Sequence, residues 1–133
     1  MADIEQVLHA KIVGDSGITT LVGTRVYPLK APDNPTFPFI TYQRIDSEPI
    51  YTMDGGGNRV ESRFQIDAWD RGLAAYKNVK TIARALQALL SNWRETVSGV
   101  DVQSFMRENE NDDWESEAGV ARVSQDWRVF HSE

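Results

Sequence analysis

Six carboxylates crowd into ten residues of this chain, Glu108, Glu110, Asp112, Asp113, Glu115 and Glu117, with no basic residue among them. Hard divalent cations take oxygen donors of this kind as ligands. A metal-assisted hydrolase using Glu108, Glu110, Asp112 and Asp113 is therefore one reading. The segment has neither the central glycine nor the ligand spacing of an EF-hand loop, and acidic blocks ordinarily stay solvated. The expectation is a partly disordered hairpin tip that holds no metal. Asp54-Gly55-Gly56-Gly57-Asn58 could be read as a phosphate cradle, but no Lys-Ser or Lys-Thr follows and the next element reads as a strand, not a helix. Three glycines flanked by Asp54 and Asn58 suit the positive-φ positions of a hairpin tip instead.

The two histidines, His9 and His131, stand at opposite ends of the chain, and neither has a serine, aspartate or glutamate at a known catalytic spacing. Asp67 and Asp70 resemble a glycosidase pair only superficially. A polar strand face explains Asp67, and Asp70 is placed to cap a helix starting near Gly72. Four tryptophans say more. Trp93 and Trp127 fall at core positions, whereas Trp69 lies on the polar face of its strand and Trp114 sits inside the acidic segment. Exposed tryptophans mark protein interfaces more often than pockets, so Trp69, Trp114 and the residues Asp54, Gly55, Gly56, Gly57 and Asn58 form the candidate interface. No catalytic, cofactor-binding or metal-binding residue is assigned.

With 133 residues the chain reads as a single domain, 1–133, long enough to bury about two-thirds of its unfolded surface. It has no cysteine, which excludes disulfides, thiolate metal sites and cysteine nucleophiles. No apolar run spans a bilayer, and the acidic start Met1-Ala2-Asp3-Ile4-Glu5 is unlike a secretory signal, so the expected compartment is the cytoplasm. A formal charge of −6 argues against a generic binder of nucleic acid or anionic membrane. The acidic segment carries the whole imbalance, leaving 14 acids against 14 bases elsewhere.

The elements that must position these residues are built around Arg59–Trp93. Val60, Ser62, Phe64, Ile66 and Ala68 alternate with polar residues, a period of two that predicts a half-buried strand. After Asp70-Arg71-Gly72 the period changes: Leu73, Tyr76, Val79, Ile82, Ala83, Leu86, Leu89, Leu90 and Trp93 recur at three- and four-residue steps, which predicts one long amphipathic helix. Before this unit, Asp3 and Gln6 have capping-box spacing for a first helix carrying Ile4, Val7, Leu8 and Ile12, ended by Gly14 to Gly17. Ser16 to Gly23 reads as a second short helical turn, Thr24 to Tyr27 as a small strand closed by Pro28, and the four prolines between 28 and 38 as an extended loop. Phe39 to Ser47 is a strand antiparallel to 59–69, with Pro49 interrupting it near an edge. Val100 to Met106 and Ala121 to Phe130 are two further strands paired as a hairpin. The fold expected is α+β, a mainly antiparallel four-stranded sheet with one long helix and a shorter N-terminal helix packed on one face.

Three blocks carry a resemblance. They are Val26-Tyr27-Pro28-Leu29 with Ala31-Pro32; Pro38-Phe39-Ile40-Thr41-Tyr42-Gln43-Arg44 running to Asp54-Gly55; and Phe64-Gln65-Ile66-Asp67-Ala68-Trp69 leading through Tyr76 to Ala85-Leu86-Gln87-Ala88-Leu89-Leu90. In pattern and order the chain resembles the tail-completion, or tail-terminator, family of long-tailed bacteriophages. The resemblance implies a small non-enzymatic α+β subunit that assembles into a ring, typically a hexamer, at the head-proximal end of the tail tube. It implies as partners other copies of itself, the tail-tube protein and a head-tail connector protein, with no cofactor, no specific nucleic acid binding and no membrane. It places the protein in the host cytoplasm during assembly and then in the virion. The alternatives are a head-side connector and, from a different class, a small ligand- or peptide-binding module using a groove between helix and sheet.

Overall fold

The alternating run beginning at Val60 forms the middle of a six-stranded sheet, seen in a computed structural model that describes residues 3–51, 59–116 and 118–132. The elements in chain order are α1 (Ile4–Val13), α2 (Ser16–Val22), β1 (Val26–Pro28), β2 (Phe39–Ile50), β3 (Arg59–Arg71), α3 (Ala75–Leu90), β4 (Glu95–Val97), β5 (Val100–Glu115) and β6 (Val120–Ser132). The strands lie in the order β1-β2-β3-β6-β5-β4, and the sheet curls into a half-barrel. All neighbours are antiparallel except β1 and β2, which run parallel.

This corrects the expected fold class. The sheet is mixed and has six strands instead of four, and three helices accompany it. β1 answers the small strand expected at Thr24 to Tyr27, but it joins the sheet, parallel to β2, where the expected sheet leaves it out. β4 has no counterpart in the expectation, being three residues long, too few to show a period, and a strand only through its pairing with β5. The β2–β3 and β5–β6 pairings have the partners expected, with Ile40 opposite Ala68 and Phe105 opposite Val129. Pro49 does not end its strand. β1 pairs only with Ile40 to Tyr42, so the rest of β2 is a sheet edge among the described residues, where a missing N–H is tolerated.

One face of the sheet is apolar and lies under the helices. Ile40, Phe64, Ile66, Ala68, Val123, Trp127 and Phe105 meet Ile4, Leu8 and Ile12 of α1, Ile18 of α2, and Val79, Ile82 and Leu86 of α3. Asp3 caps α1 in a full capping box with Gln6, as its spacing predicts. Asp15 caps α2 through the amide of Ile18. At α3 the expectation fails. Its N-cap is Ala74, without a side-chain hydrogen bond, and Asp70 instead accepts from Asn78 Nδ2 at 2.7 Å, tying the end of β3 to the first turn of the helix. Because α3 begins at Ala75, Leu73 precedes it and Tyr76 turns outward; both are exposed instead of joining the buried stripe. Among the described residues no helix is long and apolar enough to cross a membrane.

Candidate functional site

The acidic segment is strand, not loop. β5 runs without a break to Glu115, and only Ser116 to Gly119 remain for the turn, with Glu117 outside the described residues. The reason lies across the fold, where basic side chains meet the carboxylates one by one. Lys80 of α3 reaches Glu110 at 2.8 Å and Asp112 at 3.2 Å, and Arg107 reaches Glu110 at 3.1 Å. On the opposite face Arg128 pairs with Glu108 at 2.9 Å, and Arg122 stands 3.7 Å from Asp113. Tyr76 donates to Asp112 at 2.8 Å. A β-bulge between Arg107 and Asn109 sets this division, turning Glu110 and Asp112 toward α3 and Glu108 and Asp113 away from it. Four carboxylates that could surround a divalent cation thus already face ammonium or guanidinium groups. Among the described residues no cluster of three or more acids or histidines is arranged to hold a metal.

Glu110 is the centre of this set. Gln125 donates to it at 2.9 Å and also to the carbonyl of Ala83 at 3.0 Å, while Trp127 Nε1 donates back to Gln125 at 3.3 Å. One buried amide therefore joins α3, β5 and β6. Burial pushes the Glu110 carboxyl up, but hydrogen bonds from Gln125 and Lys80 and the charges of Lys80 and Arg107 outweigh it, leaving the group below the ordinary glutamate range. The hydrogen bond to Glu110 likewise holds Lys80 above the ordinary lysine range, against a smaller opposing effect of burial. Gln125 was legible only as a gap: it falls in phase with Ala121, Val123, Trp127 and Val129, a polar residue where the alternation calls for an apolar one.

Among the described residues the second face of the sheet carries no helix. A groove of about 370 Å³ opens there beneath Leu29, Lys30 and Ala31, floored by Thr41, Gln65, Asp67 and Trp69. Trp69 is half-buried and fully engaged. It donates to Thr41 Oγ1 at 2.9 Å, stacks on Phe39 with centroids 5.9 Å apart, and lies under the Arg122 guanidinium at 5.2 Å. Asp67 is 7% exposed and accepts from Gln65 Nε2 at 3.1 and 3.2 Å. Burial raises its carboxyl above the usual range, only partly opposed by Ser124, Gln65 and Arg122. Trp114 differs from Trp69. It stands on the helix side opposite Ala121, 53% exposed and without such support. The structure does not bring the two tryptophans together, and Asp54, Gly55, Gly56, Gly57 and Asn58 lie outside the described residues. Trp93 and Trp127 are buried as expected.

One arrangement was invisible to sequence spacing. Ser62 and His131, 69 positions apart, meet with Ser62 Oγ 2.7 Å from His131 Nε2, and His131 Nδ1 faces the carbonyl of Ser132 at 2.8 Å. An Nδ1–H donating to that carbonyl leaves Nε2 to accept the serine proton, the relation found in hydrolytic nucleophiles. Here both side chains are sealed in the core, 0% and 1% exposed, where no substrate arrives. The pair is a hydrogen bond that satisfies two buried polar groups on the core face.

At the surface of the described residues lie an ion-paired strand edge, a polar groove and exposed apolar side chains. Residues 6–132 match the family described as Tail completion protein gp17. The chain belongs to that family. It is thus a structural protein of the phage type, of the tail or the head-tail joint. Among solved structures it is similar to a chain from the "Virion of native gene transfer agent (GTA) particle", with 18% identity over 95% of this chain and 92% of that one and a TM-score of 0.79. A second solved structure matches at 15% identity over 79% and 78% of the two chains with a TM-score of 0.52. At these identities the likeness is one of fold. No curated protein sequence matches.

Proposed function

We propose that this chain is the subunit of a ring, a hexamer when assembled, that ends the tail tube and presents the surface to which the head docks. The observation that carries the reading is the family match across residues 6–132, nearly the whole chain. The fold likeness to a chain of a gene transfer agent virion agrees with a place in the particle. The partners proposed are further copies of the chain, the tail-tube protein and a head-tail connector protein. The protein would assemble in the host cytoplasm and stay at the head-proximal end of the tail.

The geometry suits such a role. Leu73, Tyr76 and Trp114 leave apolar surface exposed, and Glu108, Glu110, Asp112 and Asp113 of the long β5–β6 hairpin are paired within the subunit. A hairpin whose strand carboxylates are already paired can meet a neighbour without first ordering those side chains. Deleting the gene from a phage that carries it should give separate heads and tails, with tails of irregular length in electron micrographs. Normal virions from the deletion would refute the proposal. Protein recovered on purified heads instead of purified tails would assign it to the head-side connector.

A further inference from the structure

Six of the eight large apolar side chains exposed among the described residues fall into two groups. Leu73, Tyr76 and Trp114 form one, at the start of α3 and beside the β5–β6 turn, where Gly72 N–H donates to the carbonyl of Gly119. Along the outward side of α3 next to this group run Lys77 and Arg84, both exposed and neither within ion-pair distance of a described carboxylate. The other group is Ile45, Ile50 and Tyr51, on or just beyond the edge of β2 that has no second strand beside it among the described residues. Between them stand Asp46 and Glu48, exposed and neither within ion-pair distance of a described basic group; Arg63 and Arg128 share their cleft but pair with Glu108 and Glu61. Each patch therefore joins three apolar side chains to two charges that make no ion pair with a described residue, and the charges are of opposite sign.

We propose that the two patches are the halves of one contact, each occupied by a second copy of this chain. The inference deepens the ring reading, on which it rests, by naming its subunit interface. Position decides the symmetry. Leu73 follows Arg71, which pairs with Val120 at one end of the sheet, while Ile50 pairs with Arg59 at the other, roughly 40 Å away along β3 at about 3.3 Å per residue. The first patch is on the helix side, since Trp114 stands opposite the core residue Ala121. Asp46 and Glu48 pair with Arg63 and Glu61 on the helix-free side. A two-fold dimer cannot use both patches in one contact when they lie on opposite faces and ends. A head-to-tail contact can, and such contacts close into rings when the rotation per copy allows. Lys77 and Arg84 facing Asp46 and Glu48 would fix register and steer encounter, and the apolar side chains would supply the buried area.

Because the chain has no cysteine, a disulfide can test the contact cleanly. The chain carrying both Glu48→Cys and Lys77→Cys, incorporated into tails and oxidised, should give a ladder of covalent multimers on a denaturing gel, with each single variant giving at most dimer. Wild-type tails treated with an amine-reactive cross-linker provide the comparison. Multimers from the cross-linker with only monomer from the cysteine pair would leave the ring standing and overturn this interface. Monomer alone from both would remove the ring and the interface together. Independently, Lys77→Glu with Arg84→Glu should lower the yield of joined particles about tenfold or more while the free subunit stays folded, and adding Asp46→Lys with Glu48→Lys to the same chain should restore it. Unchanged yield from the first pair, or no recovery with all four in a folded chain, would count against the contact.

Discussion

Single residues here do the work of joining layers, and two carboxylates do it with opposite consequences for pH. Asp67 is buried on the helix-free face, and burial raises its pKa above the ordinary value of 3.8. A raised acid binds more protons in the folded than in the unfolded chain, so stability falls as pH rises from about 3.8 through the folded value. Asp67→Asn should flatten this fall, with urea midpoints from pH 3.5 to 7 as the measurement and an unchanged slope as the contrary result. Glu110 behaves in the opposite sense. Its pKa is lowered, so its stabilisation is present above about 4.5 and is lost as pH drops through the folded value. Glu110→Gln should therefore weaken the protein at pH 7 and narrow the difference between pH 7 and pH 3. An acid response identical to the parent's would show that the Lys80, Arg107 and Gln125 contacts carry no linkage.

At the scale of elements, the β5–β6 hairpin shows why an acidic block need not be disordered. Read alone, 108–117 has no apolar residue but Trp114 and no opposite charge, which is the pattern of a solvated tip. Its cations come from 30 residues upstream on α3 and from the facing strand, through Lys80, Arg122 and Arg128. The register with β6 places each pair. For β2 the lesson is complementary. Its first half is held between β1 and β3, but beyond Tyr42 it has β3 alone among the described residues, and there Ile45, Ile50, Asp46 and Glu48 are left exposed.

For the whole molecule, the split between one buried face and one polar face separates stability from assembly. The core joins all three helices to the sheet through residues such as Trp127, Phe64 and Ile66, each fully buried. The exposed apolar residues contribute little to that core. Leu73→Ser and Trp114→Ser should each change the folding free energy of the isolated subunit by no more than about 0.5 kcal/mol. The same substitutions should reduce joining of heads to tails. Thermal unfolding of the purified chain and counts of joined particles measure the two effects; a large loss of stability would place these side chains in the fold instead of the contact.

The sequence by itself determined the parts whose signal is local. The alternation from Val60 to Ala68, the helical stripe from Val79 to Leu90 and the Asp3–Gln6 capping box each depend on residues within a few positions, and each appears in the structure. The three resemblance blocks likewise led to the family that residues 6–132 match. The tertiary structure decided what depends on distant partners. The short strand expected at Thr24 to Tyr27 joins the sheet parallel to β2, β4 is a strand because β5 pairs with it, Asp70 holds Asn78 instead of capping α3, and His131 meets Ser62. The charges of Glu108, Glu110, Asp112 and Asp113 find cations supplied by other elements. Periodicity reports which face of an element is dry; it holds no record of which side chains from elsewhere arrive on the wet one, because hydrogen bonds and ion pairs form by proximity in space and not along the chain.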